Sequence, residues 1–216
     1  MHYEQIYNKD YFSGKTSFFY KLGYGNFAKL YFDNLFKPLT PYIDNIKTGK
    51  VLDVGCAYGL MLKRFPASFE KFGIDVSEYA IHMAKKRFPS MTFRVSNAED
   101  ALPFPEETFD IVICNDVLEH LEHPAKTLEN IMKGLKKGGV LYINTPNLNF
   151  IRNKIFQHAD KKEHHVSLFS HNDMLQLLQR IGFIIVQHWT FVTFTVFFFA
   201  QFKSNTGTES AFICMK

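Results

Sequence analysis

Cysteine is scarce in this chain of 216 residues, which contains only Cys56, Cys114 and Cys214. None of the three belongs to a C-x-x-C pair, and three thiols are too few for a disulfide framework. The first ten residues also lack the apolar core of a secretory leader. These absences exclude a disulfide-stapled secreted domain and predict a reducing, cytoplasmic setting.

A large excess of charge of either sign is also lacking. Lysine and arginine total 25 and aspartate and glutamate total 21, so the formal net charge is +4. An excess this small does not predict a polyanionic partner by itself. The short basic clusters at 85–87, 136–137 and 161–162 are interpreted as helix-end or solvated charges, which weakens the case for a nucleic-acid partner.

One segment, residues 181–202, lacks Asp, Glu, Lys and Arg altogether and is long enough to cross a bilayer. Polar side chains interrupt it, and its Val, Ile, Phe and Trp content suits strands, which do not cross lipid singly. We therefore predict no membrane span. The phenylalanines from Phe191 to Phe202 exceed what one buried strand can hide. We therefore expect them to form a homodimer face, or an apolar wall against which a bound substrate, the acceptor, would lie.

The rest of the chain alternates between strand-like and helix-like segments. Strands are predicted at residues 50–54, 71–75, 92–95, 109–114, 140–144, 183–188 and 210–215. The predicted helices include a short one at 60–65, one capped by Ser77, one with Pro124 in its first turn, and one from Ser170 to Gly182. This alternation predicts an α/β domain with a mostly parallel sheet and helices on both faces.

Polar residues follow five of the predicted strands at the ends where those strands stop. They are Asp53, Asp75, Asn97, Asn115 with Asp116, and Asn144 with Thr145. In a parallel sheet, the ligand crevice lies outside these carboxyl ends. Any one of these residues could belong to a turn, but their agreement over five strands indicates a small-molecule site.

The loop after the first strand, at residues 51–59, has part of a dinucleotide-binding pattern. Gly55 lets the backbone approach a ligand closely, but the G-x-G-x-x-G fingerprint also requires glycine at position 57, which is alanine here. The pyrophosphate cradle of a nicotinamide enzyme is therefore degraded. Asp75 ends the second strand 20 residues after Gly55, where a carboxylate can accept hydrogen bonds from both ribose hydroxyls.

Four segments resemble, in order and spacing, the motifs of class I S-adenosylmethionine-dependent methyltransferases. They are VLDVGCAYG at 51–59, GIDVS at 73–77, FDIVICNDVLEHLEHP at 109–124 and LKKGGVLYINTPN at 135–147. The resemblance implies S-adenosylmethionine as cofactor and a Rossmann-like, seven-stranded, mostly parallel sheet whose last strand is antiparallel. Residues 49–216 would form the methyltransferase core, and residues 1–48 an N-terminal lid and helix packed on it.

The resemblance also implies which residues contact the methyl donor. The implied residues are Asp53, Gly55 and Cys56 around the methionine part, with Gly59 in the same loop, Asp75 at the ribose, Val76, Asn97 and Ala98 at the adenine, and Asn115 beneath the sulfonium. Many relatives carry an acidic residue where Asn97 stands, although the Asn carbonyl can accept the same hydrogen bond. In the N-terminal segment, Tyr11 or Tyr20 would reach the donor's carboxylate; alternatively, these aromatics only pack against the sheet.

Two histidines, His120 and His165, are the candidate catalytic residues on the acceptor side. Asp116, Glu119 and His120 are spaced i, i+3 and i+4, and His165 follows the fifth strand. This arrangement resembles quinone-biosynthesis O-methyltransferases and small-RNA 2′-O-methyltransferases, in which an acidic residue, a Glu-His pair and a later histidine can bind a divalent metal. Because L-E-H-L is also a common plain helical turn, we do not favour a metal and interpret His165 as a base or substrate-orienting group.

The function implied by the resemblance is methyl transfer from S-adenosylmethionine to an oxygen, or a nitrogen, of a small and lipophilic acceptor. Two alternatives stay open at this point: a binding or assembly protein that keeps the fold without turnover, and a small-RNA methyltransferase. A nicotinamide-dependent oxidoreductase is disfavoured by Ala57 and by the absence of a Tyr-x-x-x-Lys set.

Overall fold

Eight strands form one sheet in the computed structural model, which describes residues 3–13, 15, 26–194, 198–202 and 206–216. The strands are β1 (Gly49–Val54), β2 (Phe69–Asp75), β3 (Thr92–Val95), β4 (Phe109–Asn115), β5 (Leu135–Pro146), β6 (Ile184–Phe194), β7 (Phe198–Phe202) and β8 (Glu209–Met215). The α-helices are α1 (Tyr3–Ile6), α2 (Lys9–Phe12), α3 (Asn26–Phe36), α4 (Thr40–Ile46), α5 (Glu78–Arg87), α6 (Pro124–Gly134), α7 (Phe150–Lys162) and α8 (His171–Ile181).

The strand order is β3-β2-β1-β4-β5-β8-β6-β7. The strands from β3 to β5 pair in parallel, whereas β8 pairs antiparallel with both β5 and β6. The Rossmann-like fold, including its antiparallel last strand, is thus confirmed. The sheet has one strand more than predicted, because β7 forms an additional antiparallel pair with β6.

Both faces of the sheet are covered by helices, as predicted. On one face, Leu52, Val112 and Leu141 share a buried cluster with side chains of α6 and α8 such as Ile131 and Met174. On the other face, neighbouring residues of the same strands pack with Leu35 of α3, Ile43 of α4 and Ile81 of α5; these neighbours are Val51, Ile111 and Tyr142. Residues that alternate along each strand therefore enter two separate cores, which explains the continuous apolar strands.

The helix ends follow the local signals in the sequence. The side chain of Ser77 accepts a hydrogen bond from the Ala80 amide at the start of α5, and that of Ser170 does the same for Asp173 in α8. Pro124 occupies the first turn of α6, and Gly182 ends α8 with φ of 107°. These predictions are confirmed, because capping depends on residues adjacent in sequence.

Three local features differ from the prediction, namely a helix expected at 60–65, a helix ending expected at 136–139 from its Lys-Lys-Gly-Gly sequence, and a stretch at 150–162 without a predicted element. Residues 60–65 form turns and a short 3₁₀ segment, Leu62–Arg64, rather than an α-helix, because left-handed residues precede them and Pro66 follows. The segment 136–139 belongs to β5 and does not end a helix. The helix α7 lies in a stretch for which no element was predicted.

The charge-free segment 181–202 forms the end of α8 and the strands β6 and β7, with residues 195–197 outside the described part. Within the described ranges, every helix is too short or too polar to traverse a bilayer. Phe191 is completely buried. A dimer face or an apolar acceptor wall in this segment stays a prediction. Part of the segment, including Phe197, lies outside the described residues.

Candidate active site

A cleft opens at the carboxyl ends of the parallel strands, where the polar strand ends predict a ligand site. Its walls come from the turns after β1 to β4 and from the N-terminal helices. The lining residues are Tyr3, Tyr7, Tyr11, Gly55, Ile74, Asp75, Val76, Ser96, Asn97, Ala98, Asp116, Val117, His120 and Leu121. The cleft therefore brings together six of the residues predicted to contact the methyl donor, which are Gly55, Asp75, Val76, Asn97, Ala98 and Tyr11.

The turn after β1 forms one side of the cleft. The amides of Gly55 and Cys56 both donate to the Ile74 carbonyl, at 2.8 and 2.9 Å, which ties this turn to the end of β2. Gly55 has φ of +74°, and a Cβ there would collide with the side chain of Val117. Only glycine therefore fits this position, and the turn can stay closely packed against the loop after β4.

Asp75 at the end of β2 is the anchored carboxylate of the cleft. Its Oδ2 accepts a hydrogen bond from the Ala57 amide and its Oδ1 one from the Ser77 amide, both at 2.9 Å. Burial raises the pKa of Asp75, although these two hydrogen bonds act to lower it. Each carboxylate oxygen has two lone pairs, so each can still accept a hydrogen bond from a ligand hydroxyl.

Three other predicted donor residues are packing residues behind the cleft wall. Asp53 is only 4% exposed, and burial together with the nearby Asp75 raises its pKa to about 8. Cys56 is buried, which raises the pKa of its thiol well above the ordinary value. Gly59 lies against the ring of Phe93, where a Cβ would be crowded.

Two asparagines differ in how their polar groups are used. The side-chain oxygen of Asn97 accepts a hydrogen bond from the Glu99 amide at 3.0 Å. The atom that is predicted to accept a hydrogen bond from the adenine therefore also stabilises a turn. In Asn115, by contrast, both the amide nitrogen and the carbonyl oxygen are buried without a partner among the described residues. A buried amide without partners is costly, although Asn115 itself is not among the residues that line the cleft.

The N-terminal helices cover the cleft with tyrosines. The hydroxyl of Tyr11 donates to Glu163 and that of Tyr3 to Glu99, each at 3.0 Å. Burial raises the pKa of Tyr3 to about 12, so its hydroxyl stays a donor at neutral pH. Tyr20, the other tyrosine of this region that is predicted to reach the methyl donor, lies outside the described residues.

His120 lines the cleft, and its ring contacts that of His165, which is not among the lining residues. Their rings are perpendicular, with centroids 4.7 Å apart, and the ring of Tyr7 contacts His120 edge-on at 5.4 Å. Burial and the neighbouring His165 lower the pKa of His120 to about 3, so its imidazole is neutral at physiological pH. The Nδ1 atom of His120 is buried and has no partner in the described part of the chain.

The four-residue metal set implied by the resemblance is only partly assembled. Glu119, His120 and His165 each place a potential ligand atom within 4.8 Å of the others. Asp116 is not part of this group, because its carboxylate accepts hydrogen bonds from the Tyr31 hydroxyl at 2.9 Å and the Asn144 amide at 3.1 Å. Asp116 has φ of +52° and precedes the 3₁₀ turn Leu118–His120, so it does not share a helical face with Glu119.

A family model described as a methyltransferase domain matches residues 25–188, which include β1 to β5 and the residues that line the cleft, apart from Tyr3, Tyr7 and Tyr11. The chain belongs to this methyltransferase family. The predicted resemblance to class I S-adenosylmethionine-dependent methyltransferases is thereby confirmed.

Individual relatives of this methyltransferase domain agree with that assignment. The ubiquinone biosynthesis O-methyltransferase of Hydrogenovibrio crunogenus is 31% identical over 111 residues, which are 49% of this chain and 46% of that protein. The chain thus spans about half the length of this curated relative.

Among solved structures, a SAM-dependent methyltransferase of Methanosarcina mazei has a TM-score of 0.65 and 19% identity, covering 82% of this chain and 97% of its own. Phosphoethanolamine N-methyltransferase 2 of Haemonchus contortus, in complex with S-adenosyl-L-methionine, has a TM-score of 0.56 and 20% identity, covering 65% and 34%. Both similarities show a shared fold.

Several residues of the methyltransferase cleft were not predicted from the sequence. Tyr3 and Tyr7 line it together with Tyr11, and their spacing of four residues is a signal that could have found them. Ile74, Ser96, Val117 and Leu121 also line the cleft but carry no distinguishing signal, because they flank the polar strand ends as ordinary neighbours.

Proposed function

We propose that the chain transfers a methyl group from S-adenosylmethionine to an oxygen of a small, apolar acceptor. The observation that carries this proposal is the pair of histidines, His120 and His165, beside a cleft whose other end carries the anchored carboxylate Asp75. When bound, the donor supplies a methyl group already activated by its sulfonium. The protein therefore needs mainly to align the reactants and exclude water.

The donor end of the cleft supplies alignment in this proposal. Asp75 accepts hydrogen bonds from the ribose hydroxyls with the lone pairs that Ala57 and Ser77 leave free. The partnerless amide of Asn115 would contact the donor near its sulfonium. Tyr3, Tyr7 and Tyr11 cover the cleft and exclude water from it.

The acceptor end supplies the proton chemistry in this proposal. His165 takes the proton from the acceptor hydroxyl as the oxygen attacks, because a hydroxyl is a weak nucleophile unless a base removes its proton. His120 stays neutral because its pKa is depressed, so it can orient the acceptor without placing a cation beside the sulfonium. Asp116 supports the loop through Tyr31 and Asn144.

An apolar acceptor is favoured by the aromatic covering of the cleft and by the similarity to a ubiquinone biosynthesis O-methyltransferase. Nitrogen is the second acceptor atom that we keep. A homodimer through the Phe-rich segment Phe191–Phe202 and a cytoplasmic setting stay predictions, as does the division into a lid at 1–48 and a core at 49–216. With a net charge of +4, nucleic acid is not the favoured acceptor.

A methyl-transfer assay with a panel of acceptors tests this proposal. We expect methyl-labelled donor to label catechols or phenols with an apolar substituent, and not sugars or short RNAs. Labelling of RNA alone would replace the proposal by the small-RNA alternative. Donor binding without labelling of any acceptor in an extended panel of phenols, amines, sugars and RNAs would favour the binding-protein alternative.

A divalent metal is not required in this proposal. Glu119, His120 and His165 offer one carboxylate and two imidazoles, which are ligands that suit a divalent ion. The Nδ1 atom of His120, which has no partner among the described residues, is an available ligand atom. Such an ion would polarise the acceptor oxygen. We propose that turnover does not depend on it, because Asp116, the fourth member of the implied set, is engaged by Tyr31 and Asn144.

Removal of metal ions separates the two mechanisms. We expect that dialysis against EDTA leaves methyl transfer to the best acceptor of the panel unchanged, because His165 alone accepts the proton. The reference is the same enzyme with added magnesium or manganese. Loss of activity in EDTA that returns with either ion would contradict the metal-free proposal.

A further inference from the structure

A chain of buried ionic contacts leads from the sheet to His165. The helix α7 directs two charged side chains inward, Arg152 at 5% exposure and Asp160 at 6%. The guanidinium of Arg152 donates to Asp160 Oδ1 at 2.6 Å and to Asp160 Oδ2 at 3.3 Å. It also donates to Glu209 of β8 at 2.6 Å and to the Thr208 carbonyl at 3.0 Å. Arg152 therefore fixes α7 to the sheet.

Asp160, held by Arg152, in turn contacts His165 through both its side chain and its backbone. Its Oδ1 lies 2.9 Å from Nδ1 of His165, and its backbone carbonyl accepts from the His165 amide at 2.9 Å. The His165 side chain is held at 10% exposure. The two hydrogen bonds from the Arg152 guanidinium keep the carboxylate of Asp160 ionised. An ionised carboxylate can only accept hydrogen bonds, so the proton of the neutral imidazole must lie on Nδ1.

We propose that Asp160, held by Arg152 and Glu209, is a positioning residue that keeps His165 in one orientation and in the tautomer whose Nε2 is unprotonated. This inference rests on the proposed role of His165 as the base for the acceptor. Neutral imidazoles in water favour the opposite tautomer, with the proton on Nε2. Without Asp160, His165 would therefore present a proton to the acceptor instead of a lone pair.

The network has a cost that a purely structural role does not explain. Buried ionic groups often stabilise a fold no better than apolar residues of the same volume. Here, a helix with exposed Phe150, Ile151 and Ile155 turns Arg152 and Asp160 inward, whereas an ordinary surface helix buries its apolar side chains. The Asp160 carboxylate therefore lies at Nδ1 of His165 and determines which of the two ring nitrogens carries the proton.

The tautomer of His165 tests the inference without any acceptor. In ¹⁵N-edited NMR of the full chain in EDTA, at a pH well above the ordinary histidine pKa of about 6.5, we expect His165 as the Nδ1–H tautomer. The signal is assigned by its absence in His165→Gln. Wild-type His165 as the Nε2–H tautomer, or as a rapid mixture of both, would overturn the inference even if Asp160→Ala fails to fold.

Turnover of the best acceptor in the panel tests whether the positioning matters for catalysis. Asp160→Ala should lower kcat by about 10- to 100-fold while the KM for the donor changes little, as found for outer partners of functional histidines. In a His165→Gln background, the same substitution should have no further effect on kcat. An equal further loss there would show that Asp160 acts through the fold and would contradict the inference.

A matched control removes a carboxylate at the opposite edge of the sheet. Asp110, near the start of β4, accepts hydrogen bonds from the Lys50 amide and from Lys136 Nζ, so Asp110→Asn perturbs a comparable network far from the cleft. We expect wild-type kcat for it. If His165→Gln itself keeps wild-type turnover, the proposed base fails, whereas the tautomer result still stands; the two failures are therefore distinguishable.

Discussion

His165→Ala should lower kcat by about 10²- to 10⁴-fold, the usual contribution of a general base. The affinity for the donor should stay unchanged, because the ring of His165 lies against His120 and His165 is not among the residues that line the cleft with Asp75. The measurement is steady-state methyl transfer to the best acceptor, combined with donor binding by calorimetry. The split between a large kcat effect and an unchanged Kd identifies a group that acts on the acceptor.

An exposed histidine of the neighbouring helix provides the control for this substitution. His158 of α7 is solvent-exposed, so His158→Ala removes an imidazole near the site without touching the cleft. We expect it to behave as the wild type. Equal activity of the two variants would contradict the role of His165, and a parallel loss of donor affinity in His165→Ala would move that role to the donor site.

Asp75→Ala should weaken donor binding by about 100-fold. Two hydrogen bonds from ribose hydroxyls to a charged acceptor contribute about 3 kcal/mol together, and each 1.4 kcal/mol corresponds to a factor of ten in Kd. The substitution also releases the amides of Ala57 and Ser77, which hold the turn after β1 in place. Calorimetric titration with S-adenosylmethionine and S-adenosylhomocysteine measures the effect.

Asp75→Asn separates the ribose contact from the support of the turn. The Asn side chain keeps one carbonyl oxygen for one of the two backbone amides, so we expect the losses of donor affinity and of thermal midpoint both to be smaller than those of Asp75→Ala. An unchanged donor Kd in Asp75→Ala, in a protein that remains folded, would remove the ribose assignment.

The fold could largely be predicted because its signals are local. Ser77, Pro124, Ser170 and Gly182 define helix ends through contacts with adjacent residues. The failures have the opposite cause. The helix α7 was missed because it buries two ionic residues, Arg152 and Asp160, and exposes several apolar ones, so no amphipathic pattern predicts it.

The strand β7 was missed for a related reason. The segment between Phe191 and Phe202 is predominantly apolar throughout and contains no Gly, Pro, Asn or Asp that would predict a turn. Without such a signal, the sequence cannot distinguish one strand with a connection from the antiparallel pair of β6 and β7.

The candidate site could be predicted on its donor side more fully than on its acceptor side. Asp75, Asn97 and Gly55 sit at strand ends, and the parallel sheet alone brings these together. By contrast, the contact between Asp160 and His165 depends on how α7 docks on β8 through Arg152 and Glu209. Such a contact between distant segments has no counterpart in sequence spacing, so only the folded structure contains it.

The measurement that tests the central claim most directly is calorimetric titration of the chain with S-adenosylmethionine, S-adenosylhomocysteine and NAD. A cleft built around Asp75, with Ala57 in place of the second fingerprint glycine, should bind both sulfur compounds and not NAD. Binding of NAD without binding of either sulfur compound would contradict the account.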